Sequence, residues 1–312
     1  MCRHMKNKIL FFLILLSFLC APLMAQAKTH HYKHAKHHKH LKSTKHTKHT
    51  KTLNYNKTSR IDENSGYSDI IINAKTGEVL HASNANELRY PASLTKMMTL
   101  YMIFQALQDE NLRLNQMLPV STNAAKQQPS KLGLHAGQYI RVRDAILGLI
   151  TESANDVSVV IAEKLGGTEK NFAHLMTQQA RALGMMHTQF DNPSGLPDKR
   201  QVTTAHDMAI LAQKLIYHFP QFYTYFSNAT FNYRGVTYHN HNHLMSHYAG
   251  MDGIKTGYIR ASGYNLVASV VRGNIRLIGV IFGGYSFKKR DHQMATLLNN
   301  AFDKEKQAPT QE

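Results

Sequence analysis

The stretch RYPASLTKMMTLYMIFQAL, residues 89–107, decides how this chain is read. Leu94, Met97, Met98, Leu100, Met102, Ile103 and Phe104 fall on every side of a helical repeat, which predicts a helix buried all round. Upstream, residues 69–73 and 78–81 are β-rich runs around the turn Ala74-Lys75-Thr76-Gly77, the pattern of a hairpin. Downstream, Val142, Ala145, Ile146 and Leu149, then Val157, Val160, Ile161 and Leu165, recur at three and four residues and predict amphipathic helices. Thr204 and Asp207 have the spacing of a capping box, with Asp in place of the usual Glu or Gln. Residues 264–271 and 277–282 read as strands, and a further helix is expected around 291–302. Strands at both ends with helices between them predict an α+β fold. An antiparallel β-sheet is packed by helices, an inserted helical lobe stands beside it, and a cleft lies between the two.

Three short motifs fall on this frame: Ser93-Leu94-Thr95-Lys96, Ser153-Ala154-Asn155 and Lys255-Thr256-Gly257. Two of them recur as Ser286-Phe287-Lys288-Lys289 and Lys75-Thr76-Gly77, so pattern alone decides nothing. Context does. Lys75 belongs to the hairpin turn, and Ser286 is expected in a polar loop with no apolar helix behind it. Ser93 instead opens the most apolar helix of the chain, with Lys96 on the same face.

A serine hydroxyl attacks only when a base takes its proton. A lysine amine can be that base only if desolvation or a second cation lowers its pKa. Lys96 meets the first condition on a buried helix, and Lys255 could meet the second. The helix start adds backbone N–H groups for an oxyanion. At Ser153–Asn155 an extended backbone would send both polar side chains to one side. The hydroxyl could then relay a proton and the amide hold a substrate amide. Gly257 would leave room for a substrate backbone beside a strand. Plainer readings stand beside these: helix caps for Ser93, Ser153 and Asn155, an exposed strand lysine for Lys255, and a solvated face for Arg290 next to two lysines. His239, His241, His243 and His247 lack the H-E-x-x-H pattern, so neither a metal nor another cofactor is expected.

With the three motifs in this order, the chain resembles the active-site serine penicillin-recognising enzymes. The likeness is greatest to low-molecular-mass penicillin-binding proteins that act as D-alanyl-D-alanine carboxypeptidases, with a β-lactamase/transpeptidase-like fold. It extends through ESANDVS (152–158), NPSGL (192–196), TAHDMAILAQ (204–213), GMDGIKTGY (250–258), ASGYNLVAS (261–269) and RLIGVIFGG (276–284). The resemblance implies that Ser93 is acylated, Lys96 is its base and Ser153 relays the proton to the departing D-alanine. It implies that Asn155 holds the substrate amide, and that Lys255, Thr256 and Arg290 receive the terminal carboxylate. The backbone N–H groups of Ser93 and Tyr258 would form the oxyanion hole. The implied substrate is a peptidoglycan stem peptide, with β-lactams as covalent inhibitors. A D,D-endopeptidase of cross-links is the nearest alternative. A β-lactamase would need a dedicated deacylating group that is not identifiable, and a non-catalytic wall-binding protein need not keep all four of Ser93, Lys96, Ser153 and Lys255.

The front of the chain differs from this body. Of 37 Lys+Arg, 13 lie in residues 1–60, where there is no Asp or Glu; the other 24 and all 20 acids lie in 61–312. Excess charge confined to one segment argues against a nucleic-acid-binding fold. Arg3, Lys6 and Lys8, the apolar run 9–19 and the small pair Ala25-Gln26-Ala27 predict a secretory signal peptide over 1–27, with a retained anchor or a lipoprotein signal at Cys20 as alternatives. Cys2 and Cys20 both fall within it, which excludes a disulfide scaffold and a cysteine zinc site. Residues 28–60 form a basic tail, with nine Lys and eight His over 28–57 and almost nothing to bury, so a disordered tract is expected. It could be a solvated linker, an electrostatic attachment to an anionic wall or membrane surface, or a metal-capturing tract. The catalytic domain is expected over 61–312, acting outside the cytoplasmic membrane in a periplasmic or wall-associated place. The terminal DKEKQAPTQE is too short and polar to be a membrane anchor, which leaves surface attachment unexplained unless the basic tail provides it.

Overall fold

Alternating apolar residues build the central sheet. Ile70, Ile72, Val267, Ile278 and Val280 point into one core, while Ile71, Leu266, Ala268, Leu277 and Ile281 point into another. A strand that buries both faces needs cover on both sides, and helices supply it. The computed structural model describes residues 66–307; the expected signal peptide and basic tail lie outside them.

The chain opens with the hairpin β1 (Ser68–Asn73) and β2 (Val79–Ser83). It leaves the sheet through a 3-10 turn (Ala92–Thr95) that runs directly into α1 (Lys96–Gln108). The lobe continues with β3 (Met117–Pro119), α2 (Thr122–Ala125) and β4 (Tyr139–Arg141). It is completed by α3 (Val142–Thr151), α4 (Asn155–Gly166) and α5 (Glu169–Ala182). Then come α6 (Ala205–His218), α7 (Pro220–Tyr223), the hairpin β5 (Thr230–Tyr233) and β6 (Val236–His239), and α8 (Leu244–His247). The chain re-enters the sheet as β7 (Met251–Ile259), β8 (Gly263–Arg272) and β9 (Ile275–Gly284), and α9 (Phe287–Gln307) follows. The sheet order is β2-β1-β9-β8-β7, with every pairing antiparallel. The architecture is the expected α+β sheet with an inserted lobe. α6 covers one face against β1 and β9; α9 covers the other through Met294, Leu298 and Phe302.

Four local expectations are corrected. The run 153–155 is not extended: Ser153 has φ 61° and Asn155 is the first residue of α4. Ser153 and Asn155 do not cap that helix, since its N-cap is Ala154 without a side-chain bond. At Thr204 the hydroxyl accepts from Asp207 N at 3.0 Å, but the reciprocal half of the capping box is absent. Instead the Asp207 carboxylate accepts from His187 N and Thr188 Oγ1 at 2.8 and 2.7 Å. Ser286 is not in a free loop: its Oγ accepts from Lys289 N at 3.2 Å and so caps α9. The polar composition around Ser286 concealed a helix start, because cap residues and loop residues are the same types.

Candidate active site

Ser93 sits on the 3-10 turn where the sheet meets the lobe, and two glycines fix that turn. A Cβ on Gly195, whose φ is 91°, would fall 1.9 Å from Ala92 O. A Cβ on Gly257 would meet Ser93 N, Leu94 N and Pro91 O at 3.2 Å. Gly257 was expected to make room for a substrate backbone; here the room is taken by the backbone of the Ser93 turn itself. Ala92 is held at φ 48°, a left-handed conformation unusual for a residue with a side chain. Neither the turn nor α1 has a side-chain cap, so Ser93 is not the helix cap of the plainer reading.

Lys96 is fully buried. Its Nζ lies 2.6 Å from Ser194 O, 2.7 Å from Asn155 Oδ1 and 3.1 Å from Ser93 Oγ. The first two partners can only accept. A neutral amine has two hydrogens and one lone pair, so these two oxygens take both hydrogens and the lone pair is left for the Ser93 hydroxyl. Burial is the main reason the Lys96 pKa lies well below the ordinary lysine value of 10.5; the Lys255 cation lowers it further, and Asp156 opposes both. The geometry therefore fits a serine whose proton has a base to receive it.

Asn155 is occupied by the protein. Its Nδ2 donates to Gln128 O and Pro129 O at 2.9 and 3.2 Å, while its Oδ1 holds Lys96. In this structure the amide positions the lysine rather than standing free for a substrate. Next to it, Asp156 accepts from the backbone N–H groups of Leu132, Gly133 and Leu134 at 2.9–3.1 Å, fixing the loop that walls the cleft. Ser153 Oγ is buried and has no hydrogen-bond partner among the described residues. A buried hydroxyl without a partner is costly, and its place in the cleft lining suits a group that acts on a bound molecule.

Lys255 is buried on β7, not an exposed strand lysine, and donates to Thr256 O at 3.1 Å. Burial brings its pKa down to about 7, with Arg290 pushing the same way and Glu152 against. Glu152 is itself raised, burial outweighing the pull of Lys255. Arg290 is 3% exposed rather than part of a solvated face. Its Nε and Nη2 donate to Asp291 Oδ1 at 2.9 and 2.6 Å, and Nη1 donates to Asn265 O at 3.1 Å.

A cleft of about 470 Å³ brings the set together, lined by Ser93, Ser153, Asn155, Thr256, Tyr258 and Arg290 among others. Lys96 and Lys255 lie behind this surface. Some participants escaped the reading of motifs: the Ser194 carbonyl that fixes the Lys96 hydrogens, Glu152 beside Lys255, and His241, His243 and Phe287 in the cleft wall. For Ser194 the signal was Gly195 in NPSGL, since a glycine invites close backbone approach. His241 Nε2 lies 3.9 Å from Glu152 Oε2; burial, with Lys255, His243 and Lys96 nearby, holds its pKa at about 4. Among the described residues, no group of three His, Cys, Asp or Glu is placed to hold a metal.

An antiparallel sheet and an inserted helical lobe thus carry a serine–lysine pair at their junction. Residues 49–286 match the D-alanyl-D-alanine carboxypeptidase family model, and the chain belongs to that family. The match ends four residues before Arg290, whose placement therefore rests on the geometry above. The chain is 35% identical over 241 residues to D-alanyl-D-alanine carboxypeptidase DacF of Bacillus subtilis, covering 75% of this chain and 61% of that one. It is 36% identical over 242 residues to DacA of Escherichia coli, covering 75% and 60%. It thus spans about three-fifths of the length of these relatives. Penicillin-binding protein 5 of Haemophilus influenzae superposes with a TM-score of 0.74 at 33% identity, covering 76% of this chain and 70% of that one. Penicillin-binding protein D2 of Listeria monocytogenes in its cefotaxime-bound form gives 0.69 at 29% identity, covering 75% and 96%.

Proposed function

We propose that this protein is a serine-type D-Ala-D-Ala carboxypeptidase that removes the terminal D-alanine from peptidoglycan stem peptides. The observation that carries the reading is the buried Lys96 amine, 3.1 Å from Ser93 Oγ and held by Ser194 O and Asn155 Oδ1 at 2.6 and 2.7 Å, an arrangement that leaves a lone pair for Ser93 once the amine is neutral. Family membership supplies the substrate class. The Ser93 proton passes to Lys96 Nζ as Oγ bonds to the carbonyl carbon of the penultimate D-alanine. The resulting oxyanion faces the backbone N–H groups of Ser93 and Tyr258. Ser153 passes its proton to the leaving nitrogen and takes the proton held by Lys96 in exchange, the C–N bond breaks, and D-alanine departs. Its carboxylate is held by Thr256 and Arg290, with the Lys255 cation behind them. Water then attacks the Ser93 ester, freeing the shortened peptide and returning the proton to the serine. Asn155 acts here by holding Lys96 in place.

β-Lactams would acylate the same serine, consistent with the cefotaxime-bound relative. Incubation with a fluorescent penicillin and a D-Ala-D-Ala pentapeptide tests the reading. Stable label on Ser93 together with D-alanine release supports it; absence of both overturns it. Rapid turnover of the penicillin would instead indicate a β-lactamase, and faster cleavage of a cross-linked muropeptide dimer an endopeptidase.

We propose further that the chain is exported by residues 1–27, that 28–60 form a separate basic tail ahead of the catalytic domain, and that this tail holds the enzyme at an anionic wall. Retention on isolated walls should weaken with salt and strengthen from about pH 7.5 to about 6, as the histidines gain charge. Equal retention of a chain beginning at Ile61 would overturn this.

A further inference from the structure

We infer that His243 and Phe287 form a bridge over the carboxylate end of the cleft. It admits a leaving group the size of D-alanine and turns away one that continues into a second peptide. The inference rests on the carboxypeptidase reading above and names what sets its preference over cross-link cleavage.

Both residues line the cleft together with Thr256 and Arg290. Phe287 stands three residues before Arg290 on α9, so the two side chains lie one above the other on one helical face. Arg290 is buried and fixed by Asp291 and Asn265 O, whereas Phe287 remains 39% exposed at the mouth. Opposite it, His243 sets its ring at 5.4 Å and 89° to the Phe287 ring, an edge-to-face contact. The backbone carrying His243 is tied down. Asn240 Oδ1 accepts from Asn242 N at 3.0 Å, and Asn242 Nδ2 donates to Gly253 O at 3.1 Å. The His243 carbonyl also accepts from Ser246 Oγ at 3.0 Å. Two elements far apart in sequence thus meet ring to ring in the lining of the cleft that Arg290 shares.

The chemistry then sorts the two reactions. Where the cross-link ends on a D-centre that bears its own carboxylate, the leaving residue of both reactions has an α-carboxylate, and the same Thr256–Arg290 end would hold it. Free D-alanine has only a methyl group beyond that point. At a cross-link the leaving residue instead carries a long side chain leading to another stem, which must pass the bridge. The pair therefore acts on the size of the leaving group and not on the acylation chemistry.

The test is the ratio of two rates in full-length enzyme: cleavage of a cross-linked muropeptide dimer over D-alanine release from a pentapeptide. Phe287→Ala and the double variant with His243→Ala should raise that ratio about tenfold or more, as expected when a steric selector of this size is removed. Phe287→Tyr, which keeps a ring there, should leave it near the wild-type value. A cooperative melt near that of the wild type shows that each variant is folded. A Phe287→Ala ratio within about twofold of wild type overturns the bridge while leaving the carboxypeptidase intact. So does a wild type that cuts the dimer as fast as the pentapeptide. A wild type that releases no D-alanine at all overturns both readings together.

Discussion

Ser93–Lys96 and Ser286–Lys289 are the same four-residue pattern, and both open a helix of the same molecule. At the second, Ser286 Oγ accepts from Lys289 N and caps α9, while exposed Lys289 lies over the Tyr285 ring at 4.6 Å. At the first, Ser93 caps nothing, and Lys96 is buried with its amine hydrogens directed to Ser194 O and Asn155 Oδ1. The two K-T-G triplets repeat the contrast, Lys75 in an exposed turn and Lys255 beneath the cleft. What separates a proposed active site from a cap and a turn is the removal of water from a lysine. An ammonium in solvent keeps the ordinary lysine pKa; burial and a second cation bring that of Lys96 well below it.

That contrast can be broken at its strong end first. Ser93→Ala should abolish both penicillin labelling and D-alanine release, whereas Ser286→Ala should leave both within about twofold. Loss of labelling in Ser286→Ala, or its survival in Ser93→Ala, would place the chemistry at the wrong serine. Next, Lys96→Ala should slow acylation by about 10²–10⁴, the range for removing a general base, with Lys289→Ala unaffected in the same stopped-flow assay. For the K-T-G pair, Lys255→Met should lower pentapeptide turnover about a hundredfold and Lys75→Met should not. The same Lys255→Met variant should move the acid limb of the acylation profile to higher pH, since the cation that helps depress Lys96 is gone. An unmoved limb would mean that burial alone sets the base.

Smaller effects concern stability. Ser286→Ala should cost about 1 kcal/mol in urea unfolding, as loss of a helix N-cap does. Lys255 has a lower pKa folded, about 7, than its ordinary 10.5, so between these values the unfolded chain binds more protons than the native one. Wild-type stability should therefore rise relative to Lys255→Met from about pH 7 to about pH 10.5. Below that window the lysine is charged in both states and its burial penalty is fully present. A flat difference across the window would show that Lys255 titrates in the folded protein as it does in the unfolded chain.

Much of this was legible in the chain itself. The all-round apolar pattern of residues 94–104 foretold a buried helix, and its burial foretold a desolvated Lys96. The β-rich runs at both ends foretold the antiparallel sheet. The turn at Ser153 was not legible, because a single left-handed serine leaves no periodic trace between two amphipathic helices. Nor was the α9 cap, since serine marks loops and caps alike.

Sequence by itself determined the main helices and strands around the site, because local periodicity and composition act over a few residues; α5 and the β5–β6 hairpin were not read from it. It also determined that a serine and a lysine share the face of an apolar helix. Only the tertiary structure decided which of two identical motifs is dry. It alone brought Ser194 O and Asn155 Oδ1, 98 and 59 residues from Lys96, onto the amine. Gly257 was likewise explained only once β7 lay against the Ser93 turn. Desolvation and lone-pair direction depend on groups that meet only after the chain has folded, and no window of sequence contains them.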